Sequence, residues 1–244
     1  MLSYVAGARH RGKRLARACE SPAFPHTALG RLPLRTPYPA VIARIHSITT
    51  RLPRGTDLVV DFGGVGRGIY DMIVDAGLDP IGVTMTGGFD VHWTGQTVTM
   101  PKSTLVSKLV ARLHAGELFV HGDLVDWPVL RRELENFRPE VTRAGQETWN
   151  ARSGQHDDLV IATALCAWYL EGGGRPYKGL RDFYRERATG EVGGKEWCVG
   201  IDIGQSVDPT AICVMSKIDS PSQQDVKDAN FKPGGANFGE AAAP

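Results

Sequence analysis

Residues 197–204 read WCVGIDIG, and after a turn, QSVDP, the chain continues TAICVMSKI at 210–218. Alternate side chains of a strand face opposite ways, so Val199, Ile201 and Ile203 share one face, and Cys198, Gly200 and Asp202 the other. Two such runs around a short polar turn read as a β-hairpin. Asp202 is then a carboxylate within a strand that otherwise reads as core, beside a glycine that leaves space around it. A lone carboxylate in apolar surroundings is costly without a partner. The fold therefore turns on which elements stand beside this strand.

Two other elements carry carboxylates next to apolar sequence. DLVVDF (57–62) reads as a short buried strand with Asp61 at its end, before the glycine-rich turn GGVGRG (63–68). SGQHDDLVIATAL (153–165) sets His156, Asp157 and Asp158 directly before an apolar run, and the helix opened by Asp157 runs to about Leu170. It is apolar on nearly every face, as in a helix buried on all sides. Elsewhere the pattern gives a helix over 37–52, a helix over 69–76 ending at Gly77, a strand at 81–86 and an amphipathic helix led by Pro101 and Lys102 to Gly116. A short strand at 117–120, a charged helix over 126–137 and a polar hairpin at 140–150 follow. Strands alternating with helices predict an α/β domain with a partly parallel sheet.

The chain has 244 residues, 42% hydrophobic and 23% charged, a composition suited to a globular domain with appendages. No apolar stretch reaches the ~18 residues of a membrane span. The net charge of +1 hides a basic start: seven Lys/Arg stand against Glu20 within residues 1–35, without the apolar core of a signal peptide. A second basic stretch occupies 175–190, within a linker, and the tail from Ser220 is rich in Ser, Gln, Gly, Ala and Pro and reads as disordered. Cys19, Cys166, Cys198 and Cys213 share no CxxC-type spacing and read as reduced thiols of a cytosolic protein.

Aspartates from three elements suit hard divalent cations, which prefer carboxylate oxygens. Two such ions ~3.5–4 Å apart can hold a phosphodiester, activate water and stabilise the leaving oxygen. Simpler readings stand beside this one. Asp157 and Asp158 are equally at home as helix caps, and Asp61 as a turn former. Asp208, before a proline, reads as a turn residue, and His156 as a local hydrogen-bonding residue. Asp202 resists such a reading.

Taken together, LPLRTPYPAVIARI (32–45), LVVDFGGVGRGIYDMIVDAGL (58–78), VTMTGG (83–88), PKSTLVSKLVARLHAGEL (101–118), LRRELENF (130–137) and TRAGQETWNARSGQHDDLVIATALCAW (142–168) occur in an order that resembles the nuclease domain of phage terminase large subunits. The resemblance covers about residues 28–170, and the segment ending in HDDLV is its most specific part. It implies a ribonuclease H-like mixed sheet flanked by helices. It also implies a metal-dependent endonuclease that cuts concatemeric phage double-stranded DNA in the cytoplasm of a bacterial host. By position, Asp61, Asp157, Asp158 and Asp202 would be the ligands of two Mg²⁺ or Mn²⁺ ions, with His156 a helper. Lys102 and Arg143 would be DNA phosphate contacts, with solvated surface as the plainer reading of each. The basic stretches 9–17 and 175–187 would track the DNA backbone. Without a base-reading motif, cutting would be weakly sequence-specific.

The sequence departs from that family twice. The family's first strand has the form G-x-D-x-G-Q-x-x-D-P-T-A and precedes the rest; here GIDIGQSVDPTA stands at 200–211, after it. The resulting organisation is a basic N-terminal segment (1–27), a nuclease core (28–171), a basic linker (172–196), a displaced first hairpin (197–218) and a disordered tail (219–244). The linker can extend on the order of 80 Å, so the hairpin can reach back into the sheet. A truncated second copy or a rearranged gene would give the same order of segments. Second, the sequence has no G-x-x-x-x-G-K-[ST], so either a separate packaging ATPase is a partner or this is a nuclease fragment; the resemblance also implies a small terminase subunit and a portal as partners. The alternative to an enzyme is an inactive remnant that binds DNA or packaging proteins. A Rossmann-type site is set aside because Gly64 and Gly66 are followed by Ile69 where a glycine is required. An actin-like ATPase, suggested by IDIG, lacks a second phosphate loop.

Overall fold

The computed structural model describes residues 24–61, 63, 67–88, 90–120, 124–141, 147–150, 156–172, 196–204 and 208–218. The N-terminal arm, linker and tail therefore lie almost wholly outside the described residues, as does Arg143. The strands are β1 (Phe24–Arg31), β2 (Asp57–Asp61), β3 (Pro80–Thr86), β4 (His92–Thr94), β5 (Thr97–Pro101), β6 (Leu118–Val120), β7 (Arg138–Val141), β8 (Glu147–Asn150), β9 (Glu196–Asp202) and β10 (Ala211–Lys217). The helices are α1 (Tyr38–Thr49), α2 (Arg67–Asp75), α3 (Lys102–Ala115), α4 (Trp127–Asn136) and α5 (Asp158–Leu170).

Eight strands form one mixed sheet in the order β4-β5-β3-β2-β9-β10-β1-β6, and β7 and β8 form a separate antiparallel pair. The hairpin written last in the sequence thus lies in the middle of the sheet. β9 runs parallel to β2 on one side and antiparallel to β10 on the other, and β10 pairs antiparallel with β1. The α/β class and the helix-flanked mixed sheet are as the sequence predicts. Three strands go beyond that prediction: β1, and the hairpin β4–β5 that borders the sheet beside β3. No helix among the described residues is long and apolar enough to cross a membrane.

The alternation in WCVGIDIG is realised as two cores, one on each side of the sheet. Val199, Ile201 and Ile203 join Leu58, Val60, Ile212 and Val214 against Val41, Ile42 and Ile45 of α1 and Ile69 and Ile73 of α2. Cys198 joins Val59, Ile81, Val83, Ala211, Cys213 and Met215 against α5. Behind α5 stand Leu105 and Leu109 of α3 and Leu130 of α4. All thirteen residues of α5 are buried, which is why its sequence shows no polar face.

Gly200 is what lets α5 sit this close. A Cβ there would lie 2.2 Å from the carbonyl oxygen of Ala162 and 2.8 Å from Cys166 Sγ. The Cys166 thiol fills the same gap, 3.5 Å from the carbonyl oxygens of Cys198 and Cys213. A side chain at position 200 must push a backbone, which cannot yield as a flexible side chain does. Gly200→Ala is therefore expected to destabilise by roughly 3 kcal/mol, lowering the melting temperature by about 10 °C. An unshifted calorimetric melt would contradict the packing. A chain ending at Gly190 loses both central strands and exposes the edges of β2 and β1, so it should show no cooperative melt by circular dichroism.

Candidate carboxylate site

The sheet register brings the acids together. Asp61 ends β2 and Asp202 ends β9, and these parallel strands place the two residues directly opposite each other. Both lie on the face covered by α5, because Val59 and Cys198, two and four residues earlier, belong to that core. The same row continues across the sheet: Asp202 is opposite Ala211, and Ala211 is opposite Arg31, the last residue of β1. Neighbouring strands are ~4.8 Å apart, so Arg31 is two strands from Asp202 with only the small Ala211 between them. α5 begins over this end of the sheet and adds Asp157 and Asp158.

Each carboxylate has a distinct set of neighbours. Asp61 Oδ1 accepts the Gly63 N–H at 3.0 Å. Burial raises its pKa above the usual 3.8, opposed by the Gly63 bond and the Lys102 charge and assisted by Asp157. Asp202 is raised well above the carboxylate range, first by burial and then by the charges of Asp61, Asp158 and Asp157, against the pull of Lys102. Asp202 therefore lies within electrostatic reach of the other three aspartates named from the sequence.

Asp157 occupies the N-cap position of α5 but makes no side-chain capping bond. Its Oδ2 instead accepts Lys102 Nζ at 2.8 Å. Lys102, whose sequence context suggests a DNA contact or a solvated lysine, is thus turned into the cluster, with its ammonium 5.7 Å from the centre of the Phe137 ring. Asp158 is 5% exposed and accepts Arg31 Nη2 at 3.1 Å. Burial lifts its pKa to about 6, while Arg31 and His156 lower it and Asp208 and Asp157 raise it.

Three participants, Arg31, Glu133 and Asp208, do not stand out in the sequence as site residues. Arg31 Nη2 also pairs with the buried Glu133 of α4. Glu133 is raised to about 7, chiefly by burial, against Arg31 and a hydrogen bond from Val160. Asp208, in sequence a turn former, lies 3.2 Å from His156 Nδ1 through Oδ1, and His156 Nδ1 is 3.7 Å from Asp158 Oδ2. The two ends of that turn approach so closely that a Cβ on Gly204 would lie 2.0 Å from the Asp208 carbonyl oxygen. His156, Asp158 and Asp208 each present one ligand atom within 4.8 Å of the others.

The donor set fits a hard divalent cation. Among the described residues, six carboxylates (Asp61, Asp157, Asp158, Asp202, Asp208 and Glu133) face two permanent cations, Lys102 and Arg31. An excess of acid oxygens around one end of the sheet suits such ions, although among the described residues only His156, Asp158 and Asp208 form a trio whose ligand atoms already lie within 4.8 Å of one another.

Comparison with known proteins gives little. No protein-family model and no curated protein matches the chain. Among solved structures, the large terminase nuclease of the thermophilic phage G20c, crystallised with bound cobalt, aligns with a TM-score of 0.41 at 24% identity. The alignment covers 53% of this chain and 61% of that one, so this chain spans under two thirds of that structure.

The raised carboxyls make a pH prediction. Asp158 and Glu133 move from the usual 3.8 and 4.5 to about 6 and about 7 on folding. The folded protein then holds more protons than the unfolded one between those limits, so stability is full below pH ~4 and is lost as the pH rises through ~7. In EDTA the contribution of these two groups should lower the melting temperature by a few degrees between about pH 5 and about pH 7.5. Asp158→Asn should flatten that slope, and a slope unchanged in the variant would contradict the assignment.

Proposed function

We propose that this chain is a metal-dependent DNA endonuclease of the phage terminase type. In this reading it has a ribonuclease H-like core whose first hairpin follows the core in sequence. Asp61, Asp157, Asp158 and Asp202 hold two Mg²⁺ or Mn²⁺ ions. The observation that carries the reading is the in-register pair Asp61–Asp202 beneath the paired aspartates of α5. Four carboxylates converging from three elements at a semi-buried place are costly for a metal-free fold and suit two divalent ions. The terminase-like order of the sequence segments agrees with it, and so does the central position of β9 and β10, where the family's first hairpin is expected.

Divalent cations held by these aspartates would supply charge to a phosphodiester and acidify the attacking water. The chain's own residues then have separable tasks. Gly63 N–H fixes one oxygen of Asp61 and leaves the other for a ligand. Asp202 stands among the charges of Asp61, Asp158 and Asp157, which with desolvation raise its carboxyl well above the usual range, and a cation held there would favour its charged form. Lys102, now on Asp157, is the ammonium that would pass to a phosphate oxygen if Asp157 held a cation. His156 Nδ1 stands between Asp158 and Asp208, where it holds the two carboxylates together at the mouth of the site. The substrate is double-stranded DNA, bound mainly through its backbone. A separate packaging ATPase, a small terminase subunit and a portal are the assembly partners of this reading.

Supercoiled plasmid with Mn²⁺ tests it. The full chain should nick and linearise the plasmid, and EDTA should stop the reaction. Asp61→Ala and Asp202→Asn should each reduce cleavage by more than about 100-fold while the metal-free melting temperature holds or rises, since either change relieves repulsion. Cleavage by Asp202→Asn at the wild-type rate would sink the proposal. A folded wild-type chain that never cuts would favour a DNA- or protein-binding remnant.

A further inference from the structure

The start of α5 is arranged unusually. The first N–H groups of any helix lack partners within the helix, and the residue at the N-cap commonly supplies one through its side chain. Asp157 has the right chemistry and position but makes no such bond: its backbone, at φ −128° and ψ 16°, is not in the usual extended N-cap range, and its Oδ2 is turned to Lys102. The N–H of Val160, where a capping side chain would act, donates to Glu133 Oε2 at 3.0 Å. That carboxylate comes from α4, 27 residues earlier. Its other oxygen takes Arg31 Nη2, and the same nitrogen reaches Asp158 Oδ2. Arg31 is itself fixed at the backbone, where its N–H donates to Asp126 Oδ2 at 2.9 Å.

We propose that Glu133 is a positioning residue for the carboxylate site: it caps α5 from outside, which frees Asp157 from capping, and it anchors the arginine that orients Asp158. The inference rests on the reading of the site as a divalent-cation centre. Without Glu133, the Val160 N–H would be open, and Asp157, whose backbone at φ −128° and ψ 16° lies outside the usual extended N-cap range, would adjust to bring its carboxylate from the site to the helix. Arg31, released from Glu133, would keep Asp158 as its acidic partner and hold it against an incoming cation. Both changes remove ligand oxygens from the site without altering any of the four aspartates read as its ligands. A buried glutamate that merely stabilised the domain would affect melting and leave cation affinity alone.

The experiment joins a melting cycle in EDTA to Mn²⁺ titration calorimetry, using the full chain. Asp157→Ala alone should leave the melting temperature unchanged or raise it, because no capping bond is lost. In a Glu133→Ala background the same change should lower it by about 3 °C, because Asp157 has become the cap. Glu133→Ala should weaken Mn²⁺ binding roughly 10–100-fold. Glu133→Gln keeps an acceptor for Val160 but not the charge for Arg31. It should melt near the wild type and still bind Mn²⁺ more weakly. The proposal is overturned if Asp157→Ala has the same effect in both backgrounds, or if both Glu133 variants bind Mn²⁺ as the wild type does. A wild-type chain that binds no Mn²⁺ would defeat the functional reading instead, and the melting cycle would still decide the exchange of caps.

Discussion

Two carboxylates stand opposite each other at the ends of neighbouring parallel strands, on the face that a wholly buried helix covers. Most other features of the site can be traced to the repulsion between Asp61 and Asp202 and to the burial that strengthens it. The protein answers with an N–H from Gly63, an ammonium from α3 and a guanidinium from β1, and it leaves the balance negative. Such a balance is poor design for stability, since unpaired buried charge is among the costliest features a fold can carry. It is sound design for a site that completes itself with a cation. The raised carboxyls show where that unmet charge is concentrated.

How much of this is legible in the sequence depends on whether the signal is local. The two faces of WCVGIDIG follow from a period of two, and the structure uses both. The burial of α5 follows from its lack of a polar face. Asp61, Asp157, Asp158 and Asp202 are legible because each interrupts or borders an apolar run. Arg31 and Glu133 are not. The links of Arg31 to Glu133 and to Asp158 span 102 and 127 residues, and both Arg31 and Glu133 stand among other charges. In sequence Arg31 belongs to a basic arm, and Glu133 is one more acid on a charged helix. Asp208 is hidden by the proline after it, which makes a turn a sufficient reading.

The strands that escape the sequence pattern have similar causes. FPHTALGR lacks clean alternation and has a proline as its second residue, which is tolerable because Pro25 pairs only with the short edge strand β6. The β4–β5 hairpin joins Val98 and Met100 to the core through one strand, while β4 lies at the sheet edge. Trp93 of β4 nevertheless stacks on Trp168 of α5, with ring centres 6.1 Å apart, so the edge is tied to the central helix by an aromatic pair and not by pattern.

The central position of β9 carries a kinetic meaning. β2 and β9 are adjacent in the sheet, yet Asp61 and Asp202, which face each other across them, are more than half the chain apart in sequence. Contacts of such long range close slowly, because the entropy of ordering the intervening chain is lost before the sheet can repay it. On the ribosome, β1 to β8 and all five helices emerge before the strand that β2 and α5 are shaped to receive. Until it arrives, α5 has no sheet strand at its midline, and the edges of β2 and β1 are open to other chains. The two acids come face to face only once β9 has paired with β2, so a chain still lacking that pairing does not yet carry these two opposed charges.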